Sequence, residues 1–423
     1  MKRKNFPIGS FLMILLVSFS LSACIKDNIT RTYTYTIHRP VYKTTAEVRA
    51  NIRANDEREV RHPGKLFILG NYIFLNEVDK GVHIIDNAIP TQPRNIAFID
   101  IPGNVDIAVK GTTLYADLYT DLVAIDISSP LQPKLTKVVE NVFPHRYYNS
   151  FFSPDSGKVI VDWIQKDTTV TEDYTTSGWN RFENGRAFVT FASSADGAKS
   201  SASAAPGISG SMARFTIVDK RLYTVGMQEL KVFNINDAAR PFYVTEKQVG
   251  FNIETVYPFK DRLFIGSASG MFIYDISNVD QPQKLSEFSH VRSCDPVIAD
   301  DKHAYVTLRS GTACMGFTNQ LEVLNVSVLS QPVLLKTYQM KNPHGLSKDG
   351  NLLFICDGDD GLKVYDATLP TNLKLIKQIP NLQTFDVIAY NGVAIVVASD
   401  GLYQFGYSNP NNIQQLSKIT ISK

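Results

Sequence analysis

Glu254, Asp295 and His344 recur at intervals of 41 and 49 residues. Two carboxylates and an imidazole form a set that can hold a divalent ion, move a proton or grip a polar ligand by hydrogen bonds. Asp106, Arg214 and Asp386 form a second set, each one place beyond the position that matches Glu254 in another stretch of the chain. In a strand, neighbouring side chains point to opposite faces, so the two sets share a rim but not a face. Of the two uses for the first set, hydrogen bonding is favoured over a metal at Glu254, Asp295 and His344. No other cofactor is expected.

Sequences that carry familiar chemistries are missing. There is no HExxH, no phosphate-binding Walker loop, no G-x-S-x-G elbow, no G-x-G-x-x-G after a strand and no CxxC. CDGDDG, residues 356–361, opens like a calcium loop, but position 368 is Thr where an EF-hand needs glutamate. A hairpin turn is the reading for this stretch, with Asp and Gly supplying left-handed backbone. Pro-His occurs at His145 and His344, and only His344 falls in the repeated column; His145 reads as a loop residue.

The elements that position these residues are copies of one stretch. In residues 252–292, NIETVYPF, RLFIGSA, MFIYDIS and QKLSEFS are rich in Phe, Ile, Tyr and Leu and are separated by turn residues, which reads as four short strands. The end of the third strand registers the copies, at Asp86, Asp126, Asn234, Asp275, Asn325, Asp366 and Gly406. Seven residues further on, five copies carry Pro, at 93, 133, 241, 282 and 332, which closes a turn with a fixed φ. One interval, 108 residues, is long enough for a further copy, and residues 149–163 align with residues 343–357 as a first and second strand.

No copy is large enough to bury a core alone, and its strands are apolar on both faces, so neighbours must cover it. The expected fold is all-β, a single β-propeller with four antiparallel strands per blade. Eight blades are expected, seven complete and one degenerate; the alternative is seven, with the degenerate copy wholly an insertion. The propeller is assigned to residues 63–423, with an insertion at about 167–211 whose Ser/Ala/Gly-rich part reads as a loop. The Glu254 column, which runs through Gly64, Val105, Ala213 and Phe385, then forms a ring at the mouth of the central channel.

Residues 1–23 have three cations, an apolar run from Phe11 to Phe19 too short to span a bilayer, and small residues before Cys24, the layout of an export signal. Leu21-Ser22-Ala23-Cys24 resembles the bacterial lipobox, which implies lipidation of Cys24. Ile25 after the cysteine resembles outer-membrane sorting, with the body on the periplasmic or surface side. Residues 24–62 read as a tether, an edge segment TYTYTIHRPVY and a charged linker. Without residues 1–23 the chain has 40 basic and 41 acidic side chains, so no electrostatic case for a nucleic-acid partner exists.

Cys294 stands where the first strand of its copy begins, and Cys314 lies in an enlarged link between second and third strands. Those places share one rim, and an oxidising compartment permits a Cys294–Cys314 disulfide. Cys356 is expected to be a buried thiol outside that pairing.

GVHIID, LVAID, LKVFN, LEVLN and LKVYD, with Ser-Ser-Pro-Leu-Gln-Pro after LVAID, resemble the LVIVD-repeat lipoproteins of Bacteroidetes across residues 63–423. The motif is a structural one. It implies a propeller and an envelope location, with binding roles. The expected function is a lipid-anchored cell-envelope binding module for a protein or glycan partner, tethered to the membrane by its N-terminal lipid and using its channel-mouth face. The alternative is a hydrolase or lyase with an acid/base or metal site at the same mouth.

Overall fold

The computed structural model describes residues 29–144, 157–174, 207–290, 296–311 and 318–422. Cys24, His145, Cys294, Asp295 and Cys314, and with them the lipidation site and the expected disulfide, lie outside the described residues. The chain divides into two units, residues 1–42 with 162–189, and residues 43–161 with 190–423.

In the larger unit the repeat folds as read. Seven sheets each contain four consecutive antiparallel strands, from Pro63–Leu69 and its three followers in blade one to the sheet that ends with Gln414–Thr420 in blade seven. The seven first strands begin at Pro63, Ile107, Phe215, Ile253, Val297, Leu346 and Thr384. Each neighbours the next, and that of blade seven neighbours that of blade one, so the ring is closed. Second and third strands are almost wholly buried, as in blade four, where Leu263, Ile265, Met271 and Ile273 are 0 % exposed. Sheet-on-sheet packing therefore supplies the core that a single copy lacks.

The register residue has a local cause. Asp86, Asp126, Asn234, Asp275, Asn325 and Asp366 each accept, on Oδ1, the backbone N–H two residues on, at 2.7–3.1 Å. That bond forms an Asx turn, which reverses the chain between third and fourth strands. Every blade has a register shift in this strand pair; such bulges add twist to an outer strand. Hydroxyls latch one blade to the loop of the next. Tyr115 donates to the Ala238 carbonyl at 2.7 Å, Tyr223 to Val279 at 2.8 Å, Tyr338 to Pro370 at 2.9 Å and, across the ring closure, Ser417 to Pro90 at 2.7 Å.

Among the described residues there are seven blades and no eighth, so the seven-blade alternative holds. Lys158–Tyr174, which contains the VIVDW segment, is one long strand that pairs with Ile29–Thr44 in a separate two-stranded sheet. The physical reason lies in the partner on offer: TYTYTIHRPVY alternates over a length that matches Lys158–Tyr174. In the smaller unit the ribbon carries a polar ladder, with Thr32 and Thr171 hydroxyls 3.1 Å apart, Thr34 and Thr169 3.0 Å apart, and Thr36 donating to Asp167 at 2.7 Å.

Residues 43–62 are docked within the larger unit. Thr44 and Glu47 form a capping box on the short helix Thr45–Arg49. Arg49 bonds Asp121 at 2.6 Å and Glu140 at 2.8 Å. Arg53–Asn55 then pairs with the outer strand of blade one, and Val60 bridges Ile421. The N-terminal segment thus covers one sheet edge and ties down the last strand.

Candidate functional site

The central channel is filled by the chain itself. Ile208 and Ser209 pair antiparallel with Ile68 and Phe67 of the first strand of blade one, and the Gly210 N–H donates to the Leu66 carbonyl at 2.8 Å. Ser211, 0 % exposed, donates its N–H to Asp386 Oδ1 of blade seven at 3.1 Å, and its hydroxyl accepts from the Leu346 N–H of blade six. Lys65 Nζ donates to the Met212 carbonyl at 2.9 Å, and the Val256 N–H of blade four to Ala213 at 2.8 Å. Arg214 N–H, at the start of blade three, donates to Asp106 Oδ2 of blade two at 2.7 Å. Residues 207–213 thus run along the channel and bond to blades one, four, six and seven, and Arg214 adds blade two. Two glycines make this possible. A Cβ on Gly207 would lie 1.9 Å from the Phe67 ring, and one on Gly210 would lie 1.8 Å from Asp386 Oδ2.

This placement explains the second candidate set. Asp106 and Asp386, 2 % and 3 % exposed, hold the inserted segment, and Arg214 contributes its backbone N–H while the residue itself is exposed. Asp106 is pushed up to about 6 by burial, against the pull of Lys65, whose ammonium lies 3.8 Å away. The expectation that residues up to Ser211 form a loop fails at Gly207–Ser211. Their small side chains suit the narrow space between inner strands, and backbone groups make the contacts.

The first set is partly brought together. Glu254, in the first strand of blade four, and His344, just before that of blade six, line one cavity at the channel mouth with Met212, Thr255, Pro296, Pro343 and Arg309. The cavity measures about 20 Å³, room for one water molecule. Glu254 is half-buried and His344 is 4 % exposed. His344 is held by its backbone, its N–H donating to the Cys356 carbonyl at 2.7 Å and its carbonyl accepting from the Thr307 hydroxyl at 2.7 Å. Its ring meets Phe385 edge-on at 5.5 Å.

Arg309, 6 % exposed, is the member that the repeat reading missed. Its Nη1 lies 2.7 Å from His344 Nδ1 and 3.2 Å from Nε2. A guanidinium can only donate, so the ring nitrogen it meets is an acceptor. A fixed positive charge against both ring nitrogens opposes a divalent cation at His344 and favours ligand groups that accept hydrogen bonds. The signal for Arg309 was in the sequence, because the matching position in other blades holds Tyr119 and Ala268. Among the described residues no group of three or more His, Cys, Asp or Glu is placed to hold a metal ion.

CDGDDG is the hairpin it was read to be. Gly358 and Gly361 take φ of +55° and +85°. The buried Asp357 carboxylate accepts from Asn342 N–H at 2.8 Å and Lys363 Nζ at 2.6 Å, so both its oxygens are engaged by protein donors. Cys356, at the end of the strand before it, is fully buried.

Comparison with known proteins bears on the fold. Residues 103–140, the span of blade two, match the model of the LVIVD repeat. No curated protein matches the chain. Among solved structures, the computationally designed Ika8 protein is 9 % identical with a TM-score of 0.52, over 87 % of this chain and 92 % of that one. A protein from Lactobacillus plantarum is 12 % identical with a TM-score of 0.52, over 85 % and 97 %. The periplasmic gluconolactonase PpgL of Pseudomonas aeruginosa is 12 % identical with a TM-score of 0.50, over 85 % and 96 %. At these identities the likeness is one of fold alone.

Proposed function

We propose that the chain is a cell-envelope interaction module that engages a protein or glycan through the face at the channel mouth, held to the outer membrane by a lipid on Cys24. The observation that carries this reading is the size of the mouth cavity. Small-molecule sites are clefts of roughly 300–1,000 Å³, whereas the cavity among Glu254, Arg309 and His344 has room for one water, and the buried Met212 forms part of its lining. Polar groups at the edge of a closed surface serve recognition by a partner that stays outside. The anchor rests on the export signal and on the lipobox before Cys24; no helix among the described residues is long and apolar enough to cross a membrane.

A photo-crosslinking side chain placed at Phe251, an exposed residue two positions before the first strand of blade four, tests the face. The reading predicts a discrete adduct in intact cells that Glu254→Ala abolishes, and none from Leu131 on the opposite rim. Adducts from Leu131 alone would put the partner on the wrong face.

A further inference from the structure

The occupant of the channel shows what the channel recognises. In Gly207–Ala213, Ile208 and Ser209 are extended and Ser211 and Met212 form a turn, and most of the segment's contacts run through its backbone: two paired residues on blade one, the Gly210 N–H on Leu66, the Ser211 N–H on Asp386, and the Met212 carbonyl on Lys65. Side chains are selected for smallness at Gly207 and Gly210, where a Cβ would collide with Phe67 and Asp386. One aliphatic position is defined by Ile208, which joins the cluster containing Ile68, Ile388 and Val397. These are the features of strand addition to a sheet edge, in which main-chain bonds supply affinity and side-chain pockets supply selectivity.

The segment is not needed to connect its blades. Seventy-five residues separate Val139 from Phe215, whereas four separate Gln248 from Ile253 and six separate Asp100 from Ile107. Leaving the channel would break no blade strand, and it would uncover the inner edge of blade one beside Lys65 and Asp386.

We infer that the channel is a binding site for a small-residue peptide of the pattern Gly-aliphatic-Ser-Gly-Ser, paired as a short strand at its aliphatic end, filled in cis by residues 207–213 and open to a partner protein's segment of the same chemistry in trans. The site adjoins the mouth surface, where Met212 lines the cavity with Glu254. The two readings stay distinguishable, because peptide binding is read on the purified protein and the Phe251 adduct in intact cells, and either can fail alone.

The test uses a labelled, end-blocked peptide of sequence GISGSMA, titrated into the full chain by fluorescence anisotropy. Gly210→Val should expel the cis segment, and the variant should bind the peptide at least tenfold more tightly than the wild type. The control GISVSMA, with Val at the second glycine, should bind neither protein. Equal affinity of a folded G210V and the wild type for GISGSMA overturns the proposal, and so does equal binding of GISVSMA. Unchanged protection of residues 207–213 from hydrogen exchange in G210V overturns it too, because the channel would then not select for glycine. If G210V does not fold, Ile208→Ser carries the same comparison, and its failure to gain affinity is decisive. A shift to a dimer on expulsion of the segment would identify the partner as a second copy of this chain.

Discussion

The channel interior and the channel mouth draw on the same two positions of the repeat, yet they use their off-pattern residues differently. Inside, Lys65, Asp106 and Asp386 are at most 3 % exposed and are spent on the chain's own segment, each bonded to or paired beside its backbone. At the mouth, Glu254 is half-buried, and Arg309 and His344 face a cavity with room for one water. A charged residue in a repeat column that packing leaves bland is therefore not in itself a ligand site; what lies against it decides. Interior charges should be costly to remove and indifferent to a partner at the mouth, and the half-buried mouth carboxylate should behave the other way.

The largest effect is expected at Lys65. Lys65→Met leaves Asp106 buried without its cation, and breaking such a pair from one side costs about 3–5 kcal/mol. Chemical denaturation at pH 7 measures it, and the loss should shrink by pH 4.5, where Asp106 takes up a proton. Little loss at pH 7 would erase the distinction between the two regions.

Asp106 itself sharpens the contrast through pH. Its carboxyl sits at about 6 in the folded chain against an ordinary value of 3.8. Between those values the folded state binds more protons, so this group makes stability rise as pH falls from 7 toward 4, by at most about 3 kcal/mol. Asp106→Asn should remove that part of the slope. A variant with the same pH profile as the wild type would deny Asp106 the role.

Asp386→Ala comes next, at roughly 1–3 kcal/mol, since it strips acceptors from the buried Ser211 and Val387 N–H groups. The smallest effect belongs to Glu254. Glu254→Ala should change unfolding free energy by less than about 0.5 kcal/mol while abolishing the Phe251 adduct. His344 is not an equivalent probe, because its ring accepts from the buried Arg309 and its removal will cost stability as well.

The period, the four strands, the turn after Asp86 and its equivalents, and the grouping of Glu254 with His344 were all legible, because each is written in side chains that recur. The rest was hidden for a related reason. The channel segment Gly207–Ala213 is recognised through backbone atoms and by having almost no side chains, so by composition it reads as a loop. The eighth copy misled because residues 149–163 match the apolar pattern of two strands, and apolar alternation alone does not say which partner a strand will take. Arg309 lies just past the second strand of its blade, His303–Leu308, outside the first-strand column that holds Glu254 and His344.

The filled channel is the centre of this account, and amide hydrogen exchange of the native protein tests it most directly. The N–H groups of Gly210 and Ser211, bonded to Leu66 and Asp386, should exchange at rates approaching those of the inner strands, such as Val387, and far more slowly than those in the turn at Asn391-Gly392. Exchange of Gly210 and Ser211 at the rate of an unstructured peptide, with the blades still protected, would mean that the channel is open and that its charged lining faces water.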